Sequence, residues 1–274
     1  MHVRALTWNL YHGRDFPPDP ALRTRRSRLL RLTERNATHA QVNRDLRDEF
    51  AEPLAGASWD VALLQECPPR WAGDLERTCG AEAHRVLTSR NSFAPLRSLA
   101  ARLNPDLVGS NEGGSNLTLV RPPLAGIAER RELAICPGPV PERRMMVFTR
   151  TGAGLCVGNL HASAGRANAR LAEDELRLAA ERSIEWAAGA PLLLGGDFNV
   201  RPAQSAIYEE LRERFGLAAP TARDSLDHLL VRGLETVEAP RVWSPEQRER
   251  GDGDRAIRLS DHAPVEATFS FAPG

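Results

Sequence analysis

The sequence predicts an α/β fold in which two packed, mixed β-sheets carry helices on their outer faces, and three observations predict it. Short apolar runs of strand length recur along the whole chain of 274 residues. A smaller number of longer segments with helical spacing of apolar residues interrupts them. Several successive strand patterns are joined by connections suited to antiparallel neighbours, which points to mixed sheets with the helices outside.

Taken in order, Val3 to Leu10 reads as a first strand and Asp60 to Gln65 as a second, both apolar and ending in polar residues. The connection between them is long. It holds a turn at Pro17, Pro18 and Pro20 and two helical patterns, Arg25 to Thr33 and Thr38 to Leu54, with Thr38 and Gln41 spaced as a capping box. Pro68 and Pro69 permit a helix over Arg70 to Arg77. His84 to Thr88 is a strand pattern, followed by a helical segment around Pro95 to Leu103 and a Gly-rich loop through Gly109, Gly113 and Gly114. Strand patterns return at Asn116 to Val120, Gly126 to Ile135, Met145 to Thr149 and Leu155 to Leu160. Ala167 to Ala188 is the longest helical stretch, with Leu171, Leu176, Ala179, Ile184 and Trp186 as its apolar stripe. Pro191 to Leu194 is a strand, Ala203 to Arg214 a helix, and Leu226 to Val231 and Ala263 to Phe271 are late strands. Gly251 to Arg255 reads as an exposed loop, and Trp8 and Trp59 belong to the core or its margin.

Composition narrows the function classes. The 36 basic residues balance 36 acidic ones, and every basic residue is Arg, since the chain has no Lys. The strongly basic field of a tight nucleic-acid binder is therefore missing, although a carboxylate-rich site inside a basic rim would sum to the same charge. Cys67, Cys79, Cys136 and Cys156 are scattered, with no paired or zinc-finger spacing, which fits a reduced, cytoplasmic protein. Met1 to Leu10 has strand character and no visible signal peptide. No apolar run approaches the roughly 20 residues of a membrane span.

The most informative stretch is Leu192 to Asn199, LLLGGDFN. A buried apolar run meets two glycines and then delivers a carboxylate and a carboxamide, which strand alternation would point to one side. That pair suits attack on a phosphate ester, the carboxylate orienting a water and the amide donating to a growing oxyanion. Other apolar strand patterns end in polar residues too. Asn9 closes TWN, Glu66 closes ALLQE, His161 closes GNLH, Asp227 stands in SLDHLLV, and Asp261 and His262 stand in LSDHAPV. Sites in layered α/β folds gather at strand ends, and this oxygen-rich set with two imidazoles matches the needs of a hard divalent cation and phosphoryl transfer. A serine-nucleophile hydrolase is disfavoured, because no GxSxG elbow is present.

The ordered series WN, QE, NLH, GGDFN, LDH and SDHAPV resembles the endonuclease/exonuclease/phosphatase family over nearly the whole chain. The resemblance implies a DNase I-like four-layer α/β sandwich, a single domain over residues 1–274 with a helical insertion at about 13–58, and hydrolysis of a phosphodiester or phosphomonoester. It implies Mg²⁺, with Mn²⁺ as an alternative, held by Glu66 with Asn9 and Asp261 close by. It also implies a His262–Asp227 dyad, a hydrogen bond or proton from His161 to the phosphate, and Asn199 on a non-bridging oxygen. The nucleophilic water falls to Asp197, or to His262 with Asp197 in support. Nuclease members carry a carboxylate two residues beyond the first-strand Asn, where Tyr11 stands here, which weighs toward one metal. Some also support the equivalent of His161 with a Glu that this sequence does not reveal. His12 is expected on a surface turn, and Arg143 and Arg144 in solvent rather than on a phosphate. The substrate is a nucleic acid, a phospholipid or a soluble ester, with neutral charge favouring the latter two, and the protein is expected to be a monomer. A non-catalytic phosphate-binding module on the same fold is the alternative.

Overall fold

Alternate residues at the start of the chain go to different cores. Val3 and Ala5 join an apolar cluster with Val61, Leu63, Leu193 and Leu229, whereas Leu6, Trp8 and Leu10 join one with Phe50, Leu54, Trp71 and Leu75. Successive strand side chains point to opposite faces, so a strand apolar on both needs a layer above and a layer below. The same split recurs at residues 192–194, where Leu193 enters the first cluster and Leu192 and Leu194 enter a third with Leu176, Ala179 and Leu211.

The computed structural model describes residues 1–88, 93–107, 114–136, 138, 143–219 and 221–271. Gly109 and Gly113 of the Gly-rich loop lie outside them. In chain order the strands are β1 (His2–Asn9), β2 (Glu34–Arg35), β3 (Ala40–Gln41), β4 (Val61–Cys67), β5 (Glu82–Leu87), β6 (Ser115–Val120), β7 (Ile127–Cys136) and β8 (Arg144–Thr151). They continue as β9 (Cys156–His161), β10 (Leu192–Asp197), β11 (Asp227–Arg232), β12 (Leu234–Val242), β13 (Glu249–Asp252), β14 (Arg255–Arg258) and β15 (Val265–Phe271). The helices are α1 (Arg25–Leu30), α2 (Arg47–Gly56), α3 (Ala72–Cys79), α4 (Ala94–Leu103), α5 (Ala169–Ala187) and α6 (Ile207–Phe215).

A six-stranded sheet in the order β12-β15-β1-β4-β6-β5 packs on a five-stranded sheet in the order β11-β10-β9-β8-β7. Both are mixed: β1 runs parallel to β4 and β10 parallel to β9, amid antiparallel neighbours. One core lies between the sheets, one between the first sheet and α2 and α3, and one between the second sheet and α5 and α6. This is the expected four-layer sandwich. Trp8 and Trp59 are buried as expected, and the buried residues of α5 are Ala172, Glu175, Leu176, Ala179, Ala180, Ser183 and Ala187, leaving Leu171, Ile184 and Trp186 at its margin. All four cysteines are buried and none forms a disulfide. Among the described residues, no helix is long and apolar enough to cross a membrane.

The segment before β4 departs from its helical reading. Asn36 Oδ1 accepts from the backbone N–H of Thr38 and of His39, at 2.9 and 2.8 Å, and this turn chemistry defeats the helix start. Thr38 and Gln41 therefore belong to the β2–β3 hairpin and form no capping box, and α2 begins only at Arg47. α1 ends early, at Arg31 with φ 56°. The Arg70–Arg77 helix is a 3-10 turn at Pro69–Trp71 followed by α3. Gly251 to Arg255 is the tip of the β13–β14 hairpin rather than a plain loop.

Candidate active site

Strand register gathers the polar residues before any loop is involved. Asp197, the last residue of β10, sits opposite His161 on β9 and Asp227 on β11. All three continue faces that further back hold Leu193, Val157 and Leu229 of the inter-sheet core, so each points between the sheets. Asn9 arrives from the facing sheet by the same alternation from Val3 and Ala5. Gln65, also on that inner face, ties the sheets together beneath the site, donating from Nε2 to Asn159 Oδ1 at 2.8 Å and to Thr7 Oγ1 at 3.1 Å.

Glycine is required for this registration at one point. Gly196 has φ +136°, and a Cβ there would stand 1.9 Å from the carbonyl oxygen of Leu160. The glycines of LLLGGDFN therefore serve close strand approach, and β10 runs straight on to Asp197. The turn comes afterwards. Asn199, with φ 53°, donates its backbone N–H to Asp197 Oδ1 at 3.1 Å and its side-chain Nδ2 to the Ala162 carbonyl at 2.9 Å.

Glu66 reaches the site by a different device. Simple alternation after Gln65 would send it toward the helical layer, but the β4–β6 ladder shifts register between Leu64 and Cys67, and Glu66 has φ 49°. The bulge turns its carboxylate inward. Tyr11, His12 and Ser260 also have positive φ, at 50°, 54° and 58°, so the rim is built from backbone conformations that cost energy and that packing must hold.

Asp197 Oδ2 is where the groups converge. Asn9 Nδ2 donates to it at 2.9 Å, His161 Nε2 lies 3.5 Å away, and His262 Nε2 lies 3.8 Å away. Behind His262, Nδ1 lies 2.7 Å from Asp227 Oδ2, so the dyad is present as a short contact. The loop that carries His262 is fixed from three sides. Ser260 Oγ donates to the Asn9 carbonyl at 2.6 Å, Trp8 Nε1 donates to the His262 carbonyl at 3.1 Å, and Arg248 donates to the carbonyls of Leu259 and Ser260 at 2.9 and 2.7 Å.

Two residues assigned to solvent by the sequence are in the site. His12 Nε2 lies 3.1 Å from Glu66 Oε2, and Arg144 is buried with its guanidinium 3.0 Å from His161 Nδ1. Arg143 is exposed, as expected. The partner of His161 is thus a guanidinium rather than a Glu. A guanidinium only donates, so His161 accepts at Nδ1 and carries its proton on Nε2, facing Asp197 and, at 3.8 Å, Glu66 Oε1. The signal for Arg144 was its place as first residue of a strand beside β9; choosing it over Arg143 needed the register Met146↔Leu160.

Electrostatics separates the roles. Burial, reinforced by Arg144, holds His161 well below the usual imidazole range, so it is neutral. Burial pushes the Asp197 carboxyl up to about 7. Burial would lower His262, yet the carboxylates of Asp227 and Asp197 outweigh it and raise it to about 11. Between these two neighbours the proton rests on His262, which has both Asp227 and Asp261 behind it. Partial loss of hydration and the nearby Glu66 push the Asp261 carboxyl up, although the residue keeps an exposed edge.

Two oxygen-bearing sets could hold a cation. Asp197, Asp227 and His262 offer ligand atoms within 4.8 Å of one another. In that set His262 Nδ1 is held by Asp227, which leaves Nε2, 3.8 Å from Asp197 Oδ2, as its ligand atom. Glu66 and Asp261 influence each other electrostatically, and Asn9 Oδ1, which accepts from the Tyr11 backbone N–H at 2.9 Å, is a further oxygen nearby in sequence to this rim.

The sequence profile of the Endonuclease/Exonuclease/phosphatase family matches residues 6–262. No curated protein matches the sequence. Among solved structures, an endonuclease/exonuclease/phosphatase family protein from Bacteroides thetaiotaomicron is 15% identical over 100% of this chain and 99% of its own, with TM-score 0.65. The mannosyl-6-phosphatase Bt3783 of Bacteroides thetaiotaomicron VPI-5482 is 16% identical over 98% and 100%, with TM-score 0.64. A humanized D. rerio TDP2 is 15% identical over 98% and 99%, with TM-score 0.58. At such identities these likenesses speak for the fold.

Proposed function

We propose a reaction from one established premise: the chain belongs to the endonuclease/exonuclease/phosphatase family. The reaction is hydrolysis of a phosphate ester, supported by a divalent cation. The observation that carries it is the convergence of Asn9, His161 and His262 on one buried carboxylate oxygen, Asp197 Oδ2.

Asp197 holds and deprotonates the attacking water. Its carboxylate is fixed by the Asn9 amide on one oxygen and the Asn199 backbone N–H on the other, and its raised affinity for a proton suits a base near neutral pH. The water oxygen bonds to phosphorus, its proton passes to Asp197, and the ester P–O bond breaks with its electron pair on the leaving oxygen, which takes a proton from solvent and departs as the alcohol. His262, held as imidazolium by Asp227, donates to the phosphate as its charge grows, and His161 donates from Nε2 beside it. Asn199, whose Nδ2 already donates one hydrogen to the Ala162 carbonyl, would offer the other to a non-bridging oxygen. Glu66, Asn9 and Asp261 would hold Mg²⁺ or Mn²⁺, which supplies a Lewis acid for the phosphoryl oxygens.

The deciding experiment incubates the protein with Mg²⁺ or Mn²⁺, with EDTA as control, against bis(p-nitrophenyl) phosphate, p-nitrophenyl phosphate, plasmid DNA, sphingomyelin and sugar phosphates. Metal-dependent release from at least one, lost in Asp197→Asn, is expected. Ligand binding without turnover of any would transfer the fold to the binding-module reading.

A further inference from the structure

Burial accounts for nearly every large apolar side chain among the described residues, with one concentrated exception. Of twelve that are exposed, eight come from the end of α1 and from α4 with its flanks. Leu29, Leu30 and Leu32 are 57%, 64% and 39% exposed. On α4, Leu96, Leu99 and Leu103 recur at the spacing of one helical face and are 67%, 56% and 62% exposed, while Ala101 on the opposite side is fully buried. The usual amphipathic arrangement is inverted: the small residue faces the protein and the leucines face out. Phe93 and Leu107, which flank α4, are exposed too, the former by 80%.

The two stretches are joined by side-chain amides. Asn104, closing α4, donates to the carbonyls of Arg28 and Leu29 at 3.1 and 3.4 Å, and Asn43 ties the two together by donating to Arg28 O and Asn104 Oδ1 at 3.0 and 2.8 Å. This surface also concentrates charge in a chain whose net charge is zero. Arg23 to Leu32 holds five arginines and no acid, all five exposed, and α4 adds Arg97 and Arg102 without an acid of its own. No described carboxylate forms an ion pair with Arg25, Arg26 or Arg31. The face adjoins the site, for Asp106, just beyond α4, lines a cavity of about 160 Å³ with Tyr11 and Arg14.

Exposed leucines beside Arg25, Arg26 and Arg31 favour one occupant. A second copy of the chain would set like charges together, and a nucleic acid would leave the leucines in water. A lipid surface with anionic headgroups takes both, the leucines entering the acyl boundary and the guanidiniums meeting phosphates. We propose that the face formed by α1 and α4 docks on membranes rich in anionic phospholipid. The proposal stands whether or not the reaction above is correct, because binding is measured without turnover.

The test is co-sedimentation of the full chain, in EDTA, with vesicles of phosphatidylcholine alone or with about a third phosphatidylglycerol. Binding at least about tenfold stronger to the anionic vesicles is expected, and its loss at 1 M salt, where the Debye length shrinks to about 3 Å. Leu96→Gln/Leu99→Gln/Leu103→Gln and, separately, Arg25→Gln/Arg26→Gln/Arg31→Gln should each lower partitioning about 100-fold, at about fivefold per arginine. Both sets are on the surface, so circular dichroism and unfolding temperature should match the parent. Equal partitioning of the parent and of a folded triple variant would overturn the proposal, as would absence of binding to either vesicle. So would a dimer in sedimentation velocity that the leucine variant converts to monomer.

Discussion

Replacing Asp227 by Asn removes a charge at a 2.7 Å contact and changes almost no volume. Two losses follow. An amide oxygen can still accept from His262 Nδ1, but a bond between neutral and charged partners of this kind loses about 1–2 kcal/mol when the carboxylate becomes an amide. To present that oxygen, the amide must turn its NH₂ toward the position of Oδ1, which is buried and has no hydrogen-bond partner. Stranding a donor there costs about 1–3 kcal/mol. The first loss falls on the imidazolium of the transition state and the second also loosens its seat, so about 3–4 kcal/mol, or roughly 10²–10³ in kcat, is expected. KM should move only a few-fold, since Asp227 touches no substrate. The assay is metal-dependent hydrolysis of bis(p-nitrophenyl) phosphate, or whichever ester the panel identifies, with a thermal scan beside it. A folded variant whose kcat stays within threefold of the parent would refute the role given to the dyad.

Four further outcomes are expected. Arg144→Met should lower kcat about 10²-fold while Arg143→Met leaves it unchanged, because only Arg144 is buried against His161; equal effects in steady-state kinetics would dismiss the assignment. Arg248→Met releases the carbonyls that hold the His262 loop, and at about 1–1.5 kcal/mol per bond the unfolding temperature should fall by roughly 3–6 °C with a loss of kcat. Gly196→Ala drives a methyl into the Leu160 carbonyl and should yield insoluble protein, so a soluble variant with parental melting would contradict the packing. Asp15 is buried and its carboxyl is pushed up by that burial to about 8 from 3.8. The folded state therefore keeps a proton that the unfolded chain releases near pH 4, so stability from this group is full below that pH and falls as pH rises toward 8. Asp15→Asn should melt close to the parent at pH 4 and above it at pH 9, by roughly several kcal/mol, and an unchanged difference across that range counts against it.

How much of this was legible in the sequence depended on whether a signal was local. Strand ends at Asn9, His161, Asp197 and Asp227 could be read because an apolar alternation stops at a polar residue, and the fold then aligns those ends by register. β12 was not foreseen, since it is a mostly exposed edge strand whose residues carry no apolar alternation. The hairpin of β2 and β3 was hidden by the turn-forming side chain of Asn36, which outcompetes a helical pattern over the following residues.

The two site residues that the sequence does not reveal, His12 and Arg144, escape it for different reasons. His12, Glu66 and Asn199 take directions set by positive φ, and no periodicity forecasts the direction of a residue in that conformation. Glu66 was found only because its neighbours form a motif; by alternation it would face the helical layer. His12, at the same kind of backbone position but outside any motif, carries no sequence signal for the site, although its ring lies 3.1 Å from Glu66. Arg144 was lost for the complementary reason: its backbone is ordinary, but a charged residue on a strand looks solvated until the facing strand shows that His161 is there to receive it. Positions whose direction depends on a bulge, a left-handed residue or a partner far along the chain are thus where a close reading of strand ends stops. In this chain they surround the same carboxylate, Asp197, that local reading identified first.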